Sequence, residues 1–221
     1  MTAKLTLSTA IQPPPGSDAK LVLSDESSTN PPVFNDAMII RVRVFVDEQK
    51  CSAEAEIDSD DARSWQWVVS AATPVGSSPV AVIRLVPPPQ PPHAFLTNPD
   101  SAAIPNAPAY DWVHEPCIKL TRVAVLPEYR GLGLGRQLVE TALAWAREHA
   151  AEIDEAVAQA AVRIHWTGPL PRWKGLVLVH AQADVERMYA GMGFHTDVTL
   201  GRWDEEGIEH VGMFRRLTLA R

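Results

Sequence analysis

Apolar positions along this chain recur in two rhythms. Between Asn35 and Gln49, Ala37, Ile40, Val44 and Phe45 fall three to four apart and predict a helix, with Asp36 near its start complementing the helix dipole. A second helical stretch carries Leu134, Leu138, Ala142 and Trp145 to Ala146, and can run to Ala150 or, with a break, towards Ala160. Strand patterns occupy Lys20 to Leu23, Ser64 to Ala71, Pro79 to Val86, Ile118 to Val125 and Leu176 to Gln182. The turn with Pro74 and Gly76 makes a hairpin of the second and third. LVLVHAQ at 176–182 is the most apolar strand. After it, Asp184 is a plausible cap for a short helix to Met192, ended by Gly191 and Gly193. Two last strands, near Asp197 to Trp203 and His210 to Leu217, flank a turn at Asp204 to Gly207. No internal repeat is visible.

Proline divides this pattern unevenly. Nine of the 19 prolines fall between Pro87 and Pro116, which marks an insertion or long loop, and its PPPQPP run reads as a solvated polyproline spacer. A smaller insertion, around 161–174, carries Pro169 and Pro171. Residues 1–18, with Pro13 to Pro15 and Gly16, read as a flexible tail, so ordered structure is expected from about Lys20. The remainder, 19–221, is long enough for one domain with a sizeable core.

Charge and cysteine narrow the function classes. A net charge of −7 argues against phosphate-backbone binding, so no nucleic-acid partner is expected. No apolar run approaches the roughly 20 residues that span a bilayer, and the start lacks the apolar core of a secretory signal; a cytoplasmic protein without a membrane partner is the expectation. Cys51 and Cys117 are too few for a disulfide scaffold and show no zinc-ligand spacing, so free thiols and no metal site are expected.

The strand, glycine loop and helix at Val123 to Leu138 carry the chemistry. Glycines in Arg130-Gly-Leu-Gly-Leu-Gly135 let backbone N–H groups turn inward at a helix start, a cradle for a phosphate dianion to which Arg130 and Arg136 add charge. The G-x-G-x-x-G dinucleotide spacing is not met, and the same glycines can also form a plain connecting turn.

The run Val123-Ala-Val-Leu-Pro-Glu-Tyr-Arg130-Gly-Leu-Gly133-Leu-Gly135-Arg136 resembles motif A of the GCN5-related N-acetyltransferase superfamily, (Arg/Gln)-x-x-Gly-x-(Gly/Ala). Strand Leu176 to Gln182 followed by DVERMYAGMGF resembles its motif B. Arg41 to Gln49, Glu56 to Asp61, Ala181-Gln182, Tyr189, Gly193-Phe194 and Gly207 to Met213 are similar to the ElaA-like and YjcF-like branch. The prolines fall outside that match, and the branch's Gly-Ile-Pro-His stands here as Gly-Ile-Glu-His.

The resemblance implies a single α/β domain with a mixed, mostly antiparallel sheet splayed between strands 4 and 5 and flanked by helices. It implies acetyl-CoA as cosubstrate, held by Val123, Ala124, Val125, Arg130, Gly131, Leu132, Gly133, Leu134, Gly135 and Arg136, with Gln182 and Tyr189 on the second motif. The Val125 amide is the expected oxyanion donor and Tyr189 the acid for the leaving thiolate. Glu48, Asp58, His180 and His210 are the base candidates. Phe45, Glu48, Gln49, Asp58 and Arg84 are expected at the acceptor amine.

The acidic run Glu54, Glu56, Asp58, Asp60 and Asp61 can attract a cationic amine or be a solvated loop. Trp65, Trp67, Trp112, Trp173 and Trp203, expected near loops, suit a flat acceptor, and an amino sugar such as glucosamine is the first choice. Polyamines, amino acids and protein lysines follow. A non-catalytic acyl-CoA sensor needs the loop but not Tyr189; an interaction protein needs neither. A second copy of the chain stays open as a partner.

Overall fold

The structure is a computed structural model that describes residues 5–23, 29–97 and 107–220. The chain divides into two compact units, Met1–Val86 with Thr121–Ala142, and Pro87–Leu120 with Leu143–Arg221.

In the first unit, strand β1 (Leu7–Gln12) pairs antiparallel with β2 (Trp65–Thr73), which forms a hairpin with β3 (Gly76–Val86). The expected tail thus contains an ordered edge strand, while Lys20 to Leu23 is not a strand. The reason lies in its partner strand: six backbone partners from Ala71 to Gln66 outweigh the nearby prolines. The 20–23 segment is held differently, by the Asn30 side chain exchanging hydrogen bonds with the Val22 N–H and C=O at 3.1 and 2.8 Å.

Helix α1 (Pro32–Arg41) starts three residues before the expected Asn35, because Pro32 and Val33 occupy its first turn with no N–H needed at the proline. Asp36 therefore lies beyond the first turn; burial raises its pKa, and it does not meet the helix start. The helix continues as a π-helical segment, Val42–Glu48. Phe34, Ala37, Met38 and Ile40 are buried, and Ala37, Ile40 and Val44 pack with Val68, Val82, Ala124 and Leu126.

In the second unit, the beginning of β4 (Ile118–Val125) pairs in parallel with β5 (Leu176–Gln182), and β5 pairs antiparallel with β8 (Ile208–Arg216). The short strands β6 (His195–Thr196) and β7 (Arg202–Glu205) also pair with β8. The parallel ladder is brief, running from Ile118 with Val177 to Leu120 with Val179, as a splay between strands 4 and 5 requires. The sheet is mixed and mostly antiparallel, flanked by helices, as expected.

Helix α3 (Leu134–Glu148) is followed after His149 by α4 (Ala150–Arg163), so the longer of the two expected helical extents holds, with a break. The predicted helix from Asp184 is shorter. A 3-10 turn at Ala183–Val185 leads into α5 (Glu186–Ala190), and neither start is capped by a side chain. The expected strand at Asp197 is interrupted too: the Asp197 carboxylate accepts from the Thr199 N–H at 2.9 Å and diverts the backbone into a turn.

The proline-rich stretch is not a spacer in its first part. Pro87 to Gln90 are buried, and the Gln90 amide donates to the Pro87 and Cys117 carbonyls, both at 3.1 Å. A four-residue helix, α2 (Ala94–Thr97), follows, and residues 98–106 lie outside the described residues. Gln90→Ala should cost about 1–3 kcal/mol, the desolvation penalty of polar groups left unpaired, read as a fall in Tm.

Candidate active site

In the first unit the β4 strand runs into the glycine loop. Leu126 N–H donates to Val80 O (2.9 Å), tying the strand end to β3, and a 3-10 turn at Pro127–Tyr129 carries the chain to Arg130. Gly131 and Gly133 adopt φ of +78° and +79°, a region that side chains avoid. A Cβ at either would meet nothing within 4 Å, so the fold's own packing leaves space beside both. The helical ladder begins with Gln137 N–H donating to Gly133 O (3.0 Å), and the preceding turn faces outward with the positive end of α3. This fits a pyrophosphate held by backbone donors.

The charged side chains of the loop are arranged differently from the expectation. Arg130 Nε donates to Val125 O at 3.0 Å, and its two terminal nitrogens hold Glu48 Oε1 and Oε2 at 2.7 and 2.6 Å. Arg130 thus braces the loop against the end of the first helical segment. The hydrogen bond from Arg130 holds the Glu48 carboxyl below its usual value. Arg136, exposed like Arg130, lies at the start of α3.

The acidic run is largely an interior feature. Arg41, fully buried, donates Nε to Glu56 Oε1 at 2.6 Å and Nη1 to Asp61 Oδ1 at 2.7 Å. Arg84, also buried, grips both Asp58 oxygens at 2.7 and 2.8 Å and gives its Nε to Thr121. Arg122 joins Glu56 at 3.1 Å and Asp58 at 3.3 Å. Burial pushes the Asp58 and Asp61 carboxyls up, but the arginines outweigh it and both end below the ordinary range. Asp58 Oδ1 also accepts from Asp60 N–H (2.9 Å), so its carboxylate is fully engaged. Three arginines neutralise three acids, which removes the expected attraction for a cationic amine from Glu56, Asp58 and Asp61. Arg84, expected at the acceptor, is spent on this network.

Sequence reading missed Arg122. It takes a positive φ of +51° within β4, where Lys119 and Thr121 also interrupt the apolar positions and the sequence gives it no separate signal. Phe45 lies half-buried against the Ala37–Ile40–Val44 cluster, and Gln49 ends the π-helical segment, its N–H on Val44 O at 3.0 Å.

In the second unit Tyr189 is buried on α5, with its ring edge-on to Phe194 at 5.5 Å. Burial raises its pKa, so the phenol keeps its proton at neutral pH. Its backbone carbonyl accepts from Phe194 N–H at 3.1 Å, which fixes the Gly191-Met-Gly193 turn.

His180 and His210 fall together. Strand register sets Gln182 opposite His210, His180 opposite Gly212 and His210 opposite Trp203, so pleat alternation brings Gln182, His180, His210, Trp203 and Glu205 to one sheet face. Trp203 packs edge-on to His180 at 4.9 Å and stacks on His210 at 6.3 Å. Burial pushes His180 down to about 3, so the ring is neutral at neutral pH. His210 Nδ1 lies 2.8 Å from Ile208 O; the carbonyl can only accept, so Nδ1 carries a hydrogen, and in the neutral ring Nε2 has the lone pair.

The tryptophans do not overhang a cleft as expected. Trp65 and Trp67 are buried on β2, Trp173 is buried with its indole donating to Leu176 O (2.7 Å), and Trp203 is buried on β7. Trp112 alone of the five is half-buried, stacked on Trp166. Strand and loop tryptophans here fill the core, the commoner use of so large an apolar surface. Among the described residues no group of His, Cys, Asp or Glu could hold a metal ion, and no helix is long and apolar enough to cross a membrane.

Comparison with known proteins gives the class. The acetyltransferase (GNAT) family matches residues 34–165, more than half of the chain, and the protein belongs to that family. It is an acyltransferase with acetyl-CoA as cosubstrate. In fold it is similar to an acyl-CoA N-acyltransferase from Pseudomonas aeruginosa, at 23% identity over 95% of this chain and 99% of that one, with a TM-score of 0.52. It is likewise similar to Escherichia coli ElaA, at 20% identity over 96% and 100% of the two chains, with a TM-score of 0.50.

Proposed function

We propose that this chain transfers the acetyl group of acetyl-CoA to a primary amine of a small molecule in the cytoplasm. The observation that carries the reading is the Gly131-Leu-Gly133 turn, two left-handed glycines with open space beside them at the start of a helix. The coenzyme supplies an activated acetyl thioester. Backbone groups from Gly131 to Arg136 bind its pyrophosphate, Val123 and Val125 pair with its arm, and the Val125 N–H polarises the thioester carbonyl.

Of the four base candidates, Glu48 and Asp58 have their oxygens on arginines and are held in the anionic form, which makes them poor proton acceptors. His210 takes the role, with Nε2 presenting a lone pair because Nδ1 is committed to Ile208 O. The amine loses its proton to His210, and Tyr189 protonates the departing thiolate.

The amino-sugar choice has lost two of its supports, the overhanging tryptophans and the unpaired acids. Glucosamine is therefore one arm of a panel with polyamines, amino acids and a lysine peptide. Thiol release from acetyl-CoA with one of these amines, together with a coenzyme-induced rise in Tm, is the expected result. A Tm rise without release from any arm points to a sensor, and neither signal overturns the reading. Tyr189→Phe should bind the coenzyme as the parent does while turnover falls about 100-fold, the usual worth of a positioned acid. Equal loss of binding would remove Tyr189 from the acid's role.

A further inference from the structure

The face shared by β5, β7 and β8 holds a group of side chains that the proton transfers above leave unused. Glu205 lies at its centre. Its Oε1 accepts from the Trp203 indole N–H at 2.6 Å and lies 3.6 Å from His180 Nδ1, beyond hydrogen-bond distance. The His180 side chain is only 9% exposed, yet its Nδ1 has no hydrogen-bond partner, so a buried polar atom faces the carboxylate unsatisfied. The Glu205 side chain is 37% exposed, so solvent reaches the carboxylate while its neighbours are buried.

His93 brings a further wall from the proline-rich stretch. Its ring is edge-on to Trp203 at 4.8 Å and to His180 at 6.0 Å, and its Nε2 bonds Leu200 O at 3.1 Å. Glu205 is thus a half-exposed carboxylate beside the Trp203 indole N–H and the His180 ring, with His93 and His210 packed on the same indole. Burial works to raise its pKa, but the facing His180 ring and the hydrogen bond from the Trp203 indole outweigh it and keep the carboxyl ionised down to about 2. A partly exposed anion set among aromatic rings is the chemistry that holds an organic ammonium, through charge-assisted hydrogen bonds to its oxygens. Of the charges within this second unit, Lys119 also acts on His180 and disfavours its protonation.

We propose that Glu205, with Trp203, His180, His210 and His93 around it, is the seat of the acceptor's primary ammonium. The inference rests on the acetyl-transfer reading and names how that reaction holds its second substrate. The seat adjoins His210, whose Nε2 is the proton acceptor, so an ammonium bound on Glu205 lies on the same sheet face as the group that deprotonates it. The proline-rich insertion then takes part in acceptor choice, because His93 closes one side.

The test follows the Trp203 indole N–H by nitrogen-edited NMR on the full chain, with and without coenzyme A, the signal being assigned with Trp203→Phe. Glucosamine, spermidine and ethylamine are titrated as probes. At least one should move that signal saturably, and Glu205→Gln, which keeps an acceptor for the indole, should weaken the effect by about tenfold to a hundredfold at unchanged Tm. If no probe moves the Trp203 signal, or Glu205→Gln binds like the parent, the seat is wrong. Thiol release with an amine whose KM is unaltered in Glu205→Gln also overturns the seat and leaves acetyl transfer standing. Absence of acetyl-CoA binding in calorimetry overturns acetyl transfer instead, and the indole signal still decides the seat.

Discussion

Gly133→Glu should lose acetyl-CoA binding by two orders of magnitude or more in calorimetry, because like charges brought together in a binding site cost several kcal/mol. The carboxylate would stand in the open space that the pyrophosphate needs, at the positive end of α3. The fold itself should survive. A Cβ at Gly133 meets nothing within 4 Å, and the remaining cost is backbone strain at φ +79°, about 1 kcal/mol or somewhat more. For a chain of this size that is a Tm drop of roughly 2–4 °C per kcal/mol. Gly133→Ala separates the two effects: it shares the strain but not the charge or the bulk. Alanine should therefore match glutamate in Tm and differ from it in affinity. Equal affinity loss in both variants would mean that the loop's conformation, not exclusion of a phosphate, controls binding.

What the sequence made legible was local. β4, its glycine loop and β5 follow from runs whose meaning is complete within a dozen residues, and both strands have the predicted bounds. The misread features all depend on partners far along the chain. Glu56 and Asp61 look like a solvated acidic loop until Arg41, 15 and 20 residues earlier, and Arg122, 66 residues after Glu56, close on them. An alternating pattern reports a face, not an ion pair. β1 was hidden for a related reason: it is an edge strand with mostly exposed side chains, so it lacks the apolar face that makes a strand conspicuous, and β2 supplies its hydrogen bonds. In the candidate site, Tyr189 and the loop were singled out by their resemblance to the family's motifs. Glu205 was not, since DEEG reads as a turn; only the β7–β8 register shows that Glu205 shares a face with Trp203 and His210.

The second large effect is expected in the Arg41 network. Arg41→Leu keeps an apolar stem but leaves Glu56 and Asp61 buried with one fewer cation, and breaking a buried pair from one side costs about 3–5 kcal/mol. With roughly 2–4 °C per kcal/mol, the Tm should fall by about 6–20 °C. The loss should also depend on pH. Asp58 and Asp61 have folded pKa values below their unfolded ones, so each adds stability above the unfolded value, near pH 4, and loses it as pH falls through the folded value. Removing the Arg41 charge raises the folded pKa of Asp61, so acid unfolding should begin at higher pH in the variant. Arg41→Leu paired with Asp61→Leu removes both ends of one contact and should recover part of the loss, the coupling that a double-mutant cycle reads. A fully additive double variant would show that the Arg41–Asp61 contact adds nothing, with Arg84, 3.0 Å from Asp61 Oδ1, already sufficient to neutralise that acid.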